Sequence, residues 1–145
     1  MYAIREVLEA KAHDVHAAQG SDTLAQLIEQ FGNVTTRCLA VTEGDALIGV
    51  VTVRDALTYI GRHGEGALAV KVEAVMTRDV TTITPDTRLG AAAALFAENS
   101  FHHLPVVENG ELVGMVTPAD VLTGHLAHVQ NETTYLRDYV AGVYY

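Results

Sequence analysis

Tryptophan is absent, proline occurs three times and cysteine once in 145 residues. The single thiol, Cys38, excludes an intrachain disulfide and a thiolate metal cluster held by one chain. Basic side chains are also scarce. Nine Lys and Arg stand against 18 Asp and Glu, for a formal net charge of −9. That balance argues against nucleic acid and against an anionic membrane surface as partners, since both are bound through clustered Lys and Arg. No uninterrupted apolar run approaches the ~20 residues of a membrane-spanning helix. The opening MYAIREVLEA has no basic stretch followed by an apolar one, so it does not read as a signal peptide, and a cytoplasmic protein is expected. Catalytic signatures are missing too. There is no G-x-S-x-G, no P-loop and no dinucleotide-binding glycine fingerprint, so the chain is expected not to be an enzyme.

What the chain does hold is apolar residues, 49% of the total, spread evenly enough for one domain or two small units sharing a core. Self-comparison is the most informative test. Shifted by 65 positions, Gly49-Val50-Val51-Thr52-Val53-Arg54-Asp55 falls over Gly114-Met115-Val116-Thr117-Pro118-Ala119-Asp120. Leu47 falls over Leu112, Val41 over Val106, Phe31 over Phe96 and Leu24 over Leu89. Further upstream the register slips by three, so that Val7 corresponds to Val75.

Each repeat, of about 60 residues, is marginal alone. Two copies related by a pseudo-twofold would share a core. Asp79–Ile83 reads as a short β-branched strand, Pro85-Asp86-Thr87 as a turn and helix start, and Leu89–Asn99 as a helix. Leu104–Val107 and Leu112–Val116 are the arms of a hairpin turning at Asn109-Gly110, and Pro118–Ala127 is a second helix. The first repeat turns at Glu43-Gly44-Asp45. A short helix precedes each repeat, over Ile4–Ala10 and Val70–Met76. The predicted fold is therefore mixed α/β, tandem β-α-β-β-α repeats with a C-terminal helix. Its parts are repeat 1 over 1–62, a linker over 63–69 within the Gly-rich Gly61–Gly66 region, repeat 2 over 70–127, and a tail helix over 128–145.

The duplicated Thr-x-x-Asp stands where a strand ends and a helix begins. On local grounds it is a capping box, with Thr52 or Thr117 capping the helix and Asp55 or Asp120 reaching back. The same geometry suits a nucleotide. A helix N-terminus attracts phosphate, the Thr hydroxyl can donate to it, and a carboxylate accepts both hydroxyls of a ribose diol.

With Val72–Thr77, Val80–Asp86 and His103-Leu104-Pro105-Val106-Val107, these strings resemble the cystathionine-β-synthase (CBS) domain pair, or Bateman module, in its small stand-alone bacterial form. The resemblance covers residues 1–127. It implies an adenine ligand (AMP, ADP, ATP, NAD or S-adenosylmethionine) bound in clefts between the repeats, with no obligatory cofactor. It assigns ribose to Asp55 and Asp120 and phosphate to Thr52 and Thr117. Thr77 and Thr82 would line sugar and base. Residues just before the L-P-V strand would also meet phosphate: His102 and His103 in one repeat, Arg37 and Cys38 in the other. His102 and His103 are expected to complete the site of Thr52, Arg54 and Asp55, and Arg37 that of Thr117 and Asp120, leaving the second site poorer in positive charge. The resemblance further implies a homodimer and an unidentified effector protein that reads the ligand state.

Other features have plainer readings. His125 and His128, spaced i,i+3, fit a solvated helix face better than a metal site. Cys38 fits a buried strand thiol better than a reactive thiolate. Tyr135, Leu136, Tyr139, Val140 and Val143 give the tail an apolar face, either for a second chain or folded back on its own. Two other functions stay open, a structural protein whose motifs are only helix caps and a histidine-based metal-binding module.

Overall fold

The computed structural model describes residues 2–11 and 15–140, apart from the side chains at 131, 134, 135, 138 and 139. The chain divides into two compact units that interleave distant segments. One comprises Asp14–Thr82 and Pro105–Met115; the other comprises Met1–His13, Ile83–Leu104 and Val116–Tyr145.

The first unit carries a mixed five-stranded sheet in the order β1-β2-β3-β5-β4. The strands are β1 (Ala17–Gln19), β2 (Cys38–Glu43), β3 (Ala46–Thr52), β4 (Leu104–Glu108) and β5 (Glu111–Val116), the last two running just past the unit's edges. β1 lies parallel to β2, and β2 pairs antiparallel with β3 from Cys38↔Thr52 to Glu43↔Ala46. The β4–β5 turn is the one the sequence signals: Asn109 and Gly110 both adopt left-handed backbone, with φ of +53° and +81°. Two helices, α2 (Leu24–Gly32) and α3 (Val53–His63), complete the unit. Thr23 caps α2 in a reciprocal box with Gln26. The core comprises Leu24, Leu27, Leu39, Val41, Val51 and Val72, none more than 1% exposed. β2 is buried on both faces, which is why CLAVTE reads as a nearly continuous apolar run.

The second unit is helical. α1 (Ile4–Ala10), α4 (Leu89–Glu98) and α5 (Pro118–Val140) enclose Ile4, Val7, Ile83, Leu89, Ala92 and Val121. The amides of Ile4 and Arg5 donate to the carbonyls of Thr87 and Pro85, fixing α1 to the turn before α4. At Gly124 α5 lies close against its neighbours: a Cβ there would be 2.9 Å from Val7 and 3.2 Å from Leu89.

Four expectations are corrected. Asp79–Ile83 forms no strand: only Ile83, its one buried residue, makes a single β-bridge, and 79–82 carry no strand backbone. Val70–Met76 yields a 3-10 turn at Val72–Ala74 in place of a helix. The Gly61–Gly66 region is no open linker, since α3 continues through Gly61 to His63 and a 3-10 stretch follows at Gly64–Ala69. The second-repeat helix and the tail are one helix of 23 residues, because nothing after Gly124 interrupts the hydrogen-bond ladder.

Candidate functional site

Each Thr-x-x-Asp opens a helix immediately after a strand. Thr52 accepts from the Asp55 amide (3.0 Å), and Asp55 Oδ2 accepts from the Thr52 amide (2.9 Å). Thr117 and Asp120 repeat the arrangement at 3.2 and 2.9 Å. Both capping boxes are thus complete. Each engages only Oδ2 of its carboxylate; among the described residues no hydrogen bond reaches either Oδ1. Both Asp side chains are half-buried, open enough to receive a ligand at that second oxygen.

Hairpin geometry decides which residues surround each cap. The start of β2 pairs with the end of β3, so Cys38 faces Thr52 and the Arg37 carbonyl accepts from the Val53 amide (3.0 Å). Arg37 and Arg54 are exposed here. Cys38 is 5% exposed. Burial, helped by the Asp55 carboxylate, pushes its thiol up to about 11, the chemistry of an inert core thiol. Thr77 joins this group through its backbone, exchanging hydrogen bonds of 2.8 and 3.0 Å with Val50. Thr82 is exposed, and no described contact brings it to the caps.

The other unit groups Thr117, Asp120 and His103. His103 is half-buried, and its pKa lies below the ordinary 6.5. Burial is the main cause, followed by the positive neighbours His102 and Lys11, with Asp120 pulling the other way. His102 is exposed. Lys11 was not singled out in the sequence, yet its Nζ lies 2.8 Å from Asp120 Oδ2. The structure groups His103 with Asp120 and Arg37 with Thr52, where the sequence reading crossed them, because an antiparallel hairpin returns each strand start to its own partner's end. Lys11 adds to the Asp120 group a cation that the sequence reading did not place there. The signal for Lys11 was faint: it follows α1 where the repeat register slips, 109 residues from its partner.

Of the remaining histidines, His128 rests against Tyr2 (ring centroids 5.4 Å apart) and lies 3.9 Å from Glu132, while His125 is exposed. Among the described residues no three His, Cys, Asp or Glu side chains converge on a metal-sized point. Nor, among them, is any helix long and apolar enough to cross a membrane.

Comparison with known proteins agrees with this architecture. The profile of the CBS domain matches residues 4–62 and 72–125. The CBS domain-containing protein CBSX3, mitochondrial, of Arabidopsis thaliana is 33% identical over 128 residues, 85% of this chain. The chain spans 62% of that relative's length. Among solved structures, a putative acetoin utilization protein (AcuB) from Vibrio cholerae superposes with a TM-score of 0.79 at 22% identity, covering 92% of this chain and 97% of that one. CBSX2, solved in complex with AMP, superposes with a TM-score of 0.76 at 24% identity, covering 88% and 98%.

Proposed function

The chain belongs to the CBS domain family, and from that footing we propose that it is a regulatory module that binds an adenine nucleotide through its two Thr-x-x-Asp caps. AMP, ADP, ATP, NAD and S-adenosylmethionine are the candidate ligands. The observation that carries the reading is the duplicated carboxylate that caps with one oxygen and keeps the other for a sugar diol. AMP in the CBSX2 complex is consistent with it. Asp55 and Asp120 would accept from the ribose hydroxyls. Thr52 and Thr117 would donate to phosphate at the positive end of α3 or α5. Arg37, Arg54 and Thr77 serve the first site, and His102, His103 and Lys11 the second; Thr82 contributes through the sugar or base. Ligand binding shifts a conformational equilibrium by its difference in affinity between two states. That change passes, in the cytoplasm, to a second copy of the chain and to an effector protein; the module itself catalyses nothing.

Calorimetry and thermal shift with AMP, ATP, NAD and S-adenosylmethionine test the proposal. At a ligand concentration of about 100 times Kd, stabilisation of about 2.7 kcal/mol is expected. No binding of any of these ligands at millimolar concentration leaves the second reading, in which the boxes only cap their helices.

A further inference from the structure

Before any nucleotide arrives, the Asp120 carboxylate already has an occupant, the ammonium of Lys11. Asp120 Oδ2 accepts from the Thr117 amide at 2.9 Å and from Lys11 Nζ at 2.8 Å. Those two donors use the lone pairs of that oxygen, and the ammonium draws the carboxylate charge toward itself. Oδ1 is left to meet a sugar with a weakened charge. The backbone of Lys11 is fixed from behind. It follows α1, whose Ile4 and Arg5 amides are bonded to Thr87 and Pro85 and whose Val7 is buried beside Gly124 of α5. The flexible four-carbon stem lets the ammonium swing while that backbone stays. With 39% of the side chain exposed, it can turn toward an incoming anion. His103 cannot take over this part near neutral pH, because burial and its positive neighbours disfavour the imidazolium.

Resting on the nucleotide reading above, we propose that Lys11 is a phosphate-dependent gate on the Asp120 site: a ligand that carries phosphate draws the ammonium off the carboxylate and keeps it as a partner, whereas a ligand without phosphate must break the ion pair and offers the ammonium nothing in its place. The site therefore selects phosphorylated adenine ligands, AMP, ADP, ATP and NAD. Uncharged adenosine and S-adenosylmethionine, which is net positive, are disfavoured there. Among the described residues Asp55 has no ammonium on its carboxylate, so the gate acts at one of the two sites. The selection comes from the exchange itself. Lys11 opposes the sugar and favours the phosphate, so its removal acts on the two halves of a nucleotide with opposite sign.

The test uses the full chain carrying Asp55→Asn, which keeps the first cap and weakens the first site. Calorimetry then compares AMP with adenosine, each with and without Lys11→Met. AMP is expected to bind about 5- to 10-fold more weakly in Lys11→Met, because its phosphate loses a charge-assisted partner. Adenosine is expected to bind about 2- to 5-fold more tightly, because a partly exposed ion pair no longer has to be broken. A merely structural lesion would weaken both. Lys11→Arg should restore the original order, and Lys71→Met, which removes an equal charge from an exposed lysine outside the site, should move neither ligand. Adenosine that gains nothing from Lys11→Met overturns the gate, whatever happens to AMP, and leaves the nucleotide reading standing. AMP that fails to bind the unmutated chain at millimolar concentration removes the nucleotide reading and the gate together.

Discussion

Lys11 and Asp120 meet at 2.8 Å on the same carboxylate oxygen that caps α5. Asp55, at the equivalent place in the first repeat, has no such cation among the described residues. One duplicated motif thus yields two electrostatically different sites.

The first prediction follows from that difference. A ribose arriving at Asp120 competes with Lys11, and the displaced ammonium is then at hand for phosphate. Lys11→Ala should lower the preference for ATP over AMP about 5- to 10-fold at one site and leave the other unchanged. Because the pair is partly exposed, the same change should alter folding stability by less than about 1 kcal/mol. Calorimetry with both nucleotides, alongside urea denaturation, separates the two effects.

The capping and ligand roles of the carboxylates can be separated. In Asp55→Asn or Asp120→Asn the amide oxygen still accepts from the Thr amide, so the cap survives and stability should change by less than about 1 kcal/mol. The diol loses a charged acceptor worth about 1.5–3 kcal/mol, so affinity at that site should fall about 10- to 100-fold. Unchanged affinity in both variants would reduce the motif to a helix cap.

His103 titrates below 6.5 in the free protein, since burial and its positive neighbours disfavour the imidazolium. The unfolded chain takes up this proton first as pH falls. Stability is therefore present above about 6.5 and lost as pH drops from there towards the lowered folded value. A phosphate at this site would favour the imidazolium and raise the pKa. NMR titration of the His103 ring with and without AMP is expected to show that rise; superimposable curves would remove His103 from the phosphate site.

Cys38 responds at the opposite end of the pH scale. Folding keeps its thiol protonated up to about 11, against 9.0 for the ordinary group. The folded state therefore loses about 3 kcal/mol relative to the unfolded chain as pH climbs between those values. Thiol reagents at pH 8 should leave the native protein unmodified and label the guanidinium-unfolded chain fully.

Glycine substitutions give the final prediction. A Cβ at Gly49 would sit 2.6 Å from the Thr77 carbonyl oxygen and 2.8 Å from Met76 Sδ. Gly49→Ala must therefore push residues 76–77 off β3, at about 1–3 kcal/mol. Gly124→Ala meets Val7 Cγ2 at 2.9 Å and Leu89 at 3.2 Å, side chains rather than backbone, and the helix propensity it gains, about 1 kcal/mol, offsets part of that crowding, so it should cost less than Gly49→Ala. Equal melting temperatures for the two variants would contradict this.

These contrasts also show what the sequence disclosed. The hairpins, α1, α4 and both caps were legible because their signals are local: Asn109-Gly110, an Ala-rich period and Thr-x-x-Asp. Asp79–Ile83 has the composition of a strand, but only Ile83 makes a bridge, because composition does not decide how far pairing runs. The length of α5 was missed because the tail was read as a separate element. The association of Lys11 with Asp120 depends on tertiary approach across most of the chain, which no local pattern encodes. The last turns of the proposed tail face, with Val143 and the side chains of Tyr135 and Tyr139, lie outside the described residues.

The helical unit is assembled from the beginning, middle and end of the polypeptide. A ribosome emits Ile4 and Val7 long before α4 and α5 exist to cover them. The sheet unit has most of its residues by Thr82, whereas α1 must wait for synthesis to pass Val121 before its neighbours are complete. During that interval the nascent chain displays an apolar helix with nowhere to dock, an obvious handhold for a chaperone. Deleting residues 2–11 should correspondingly cripple the late-forming unit and spare the early one.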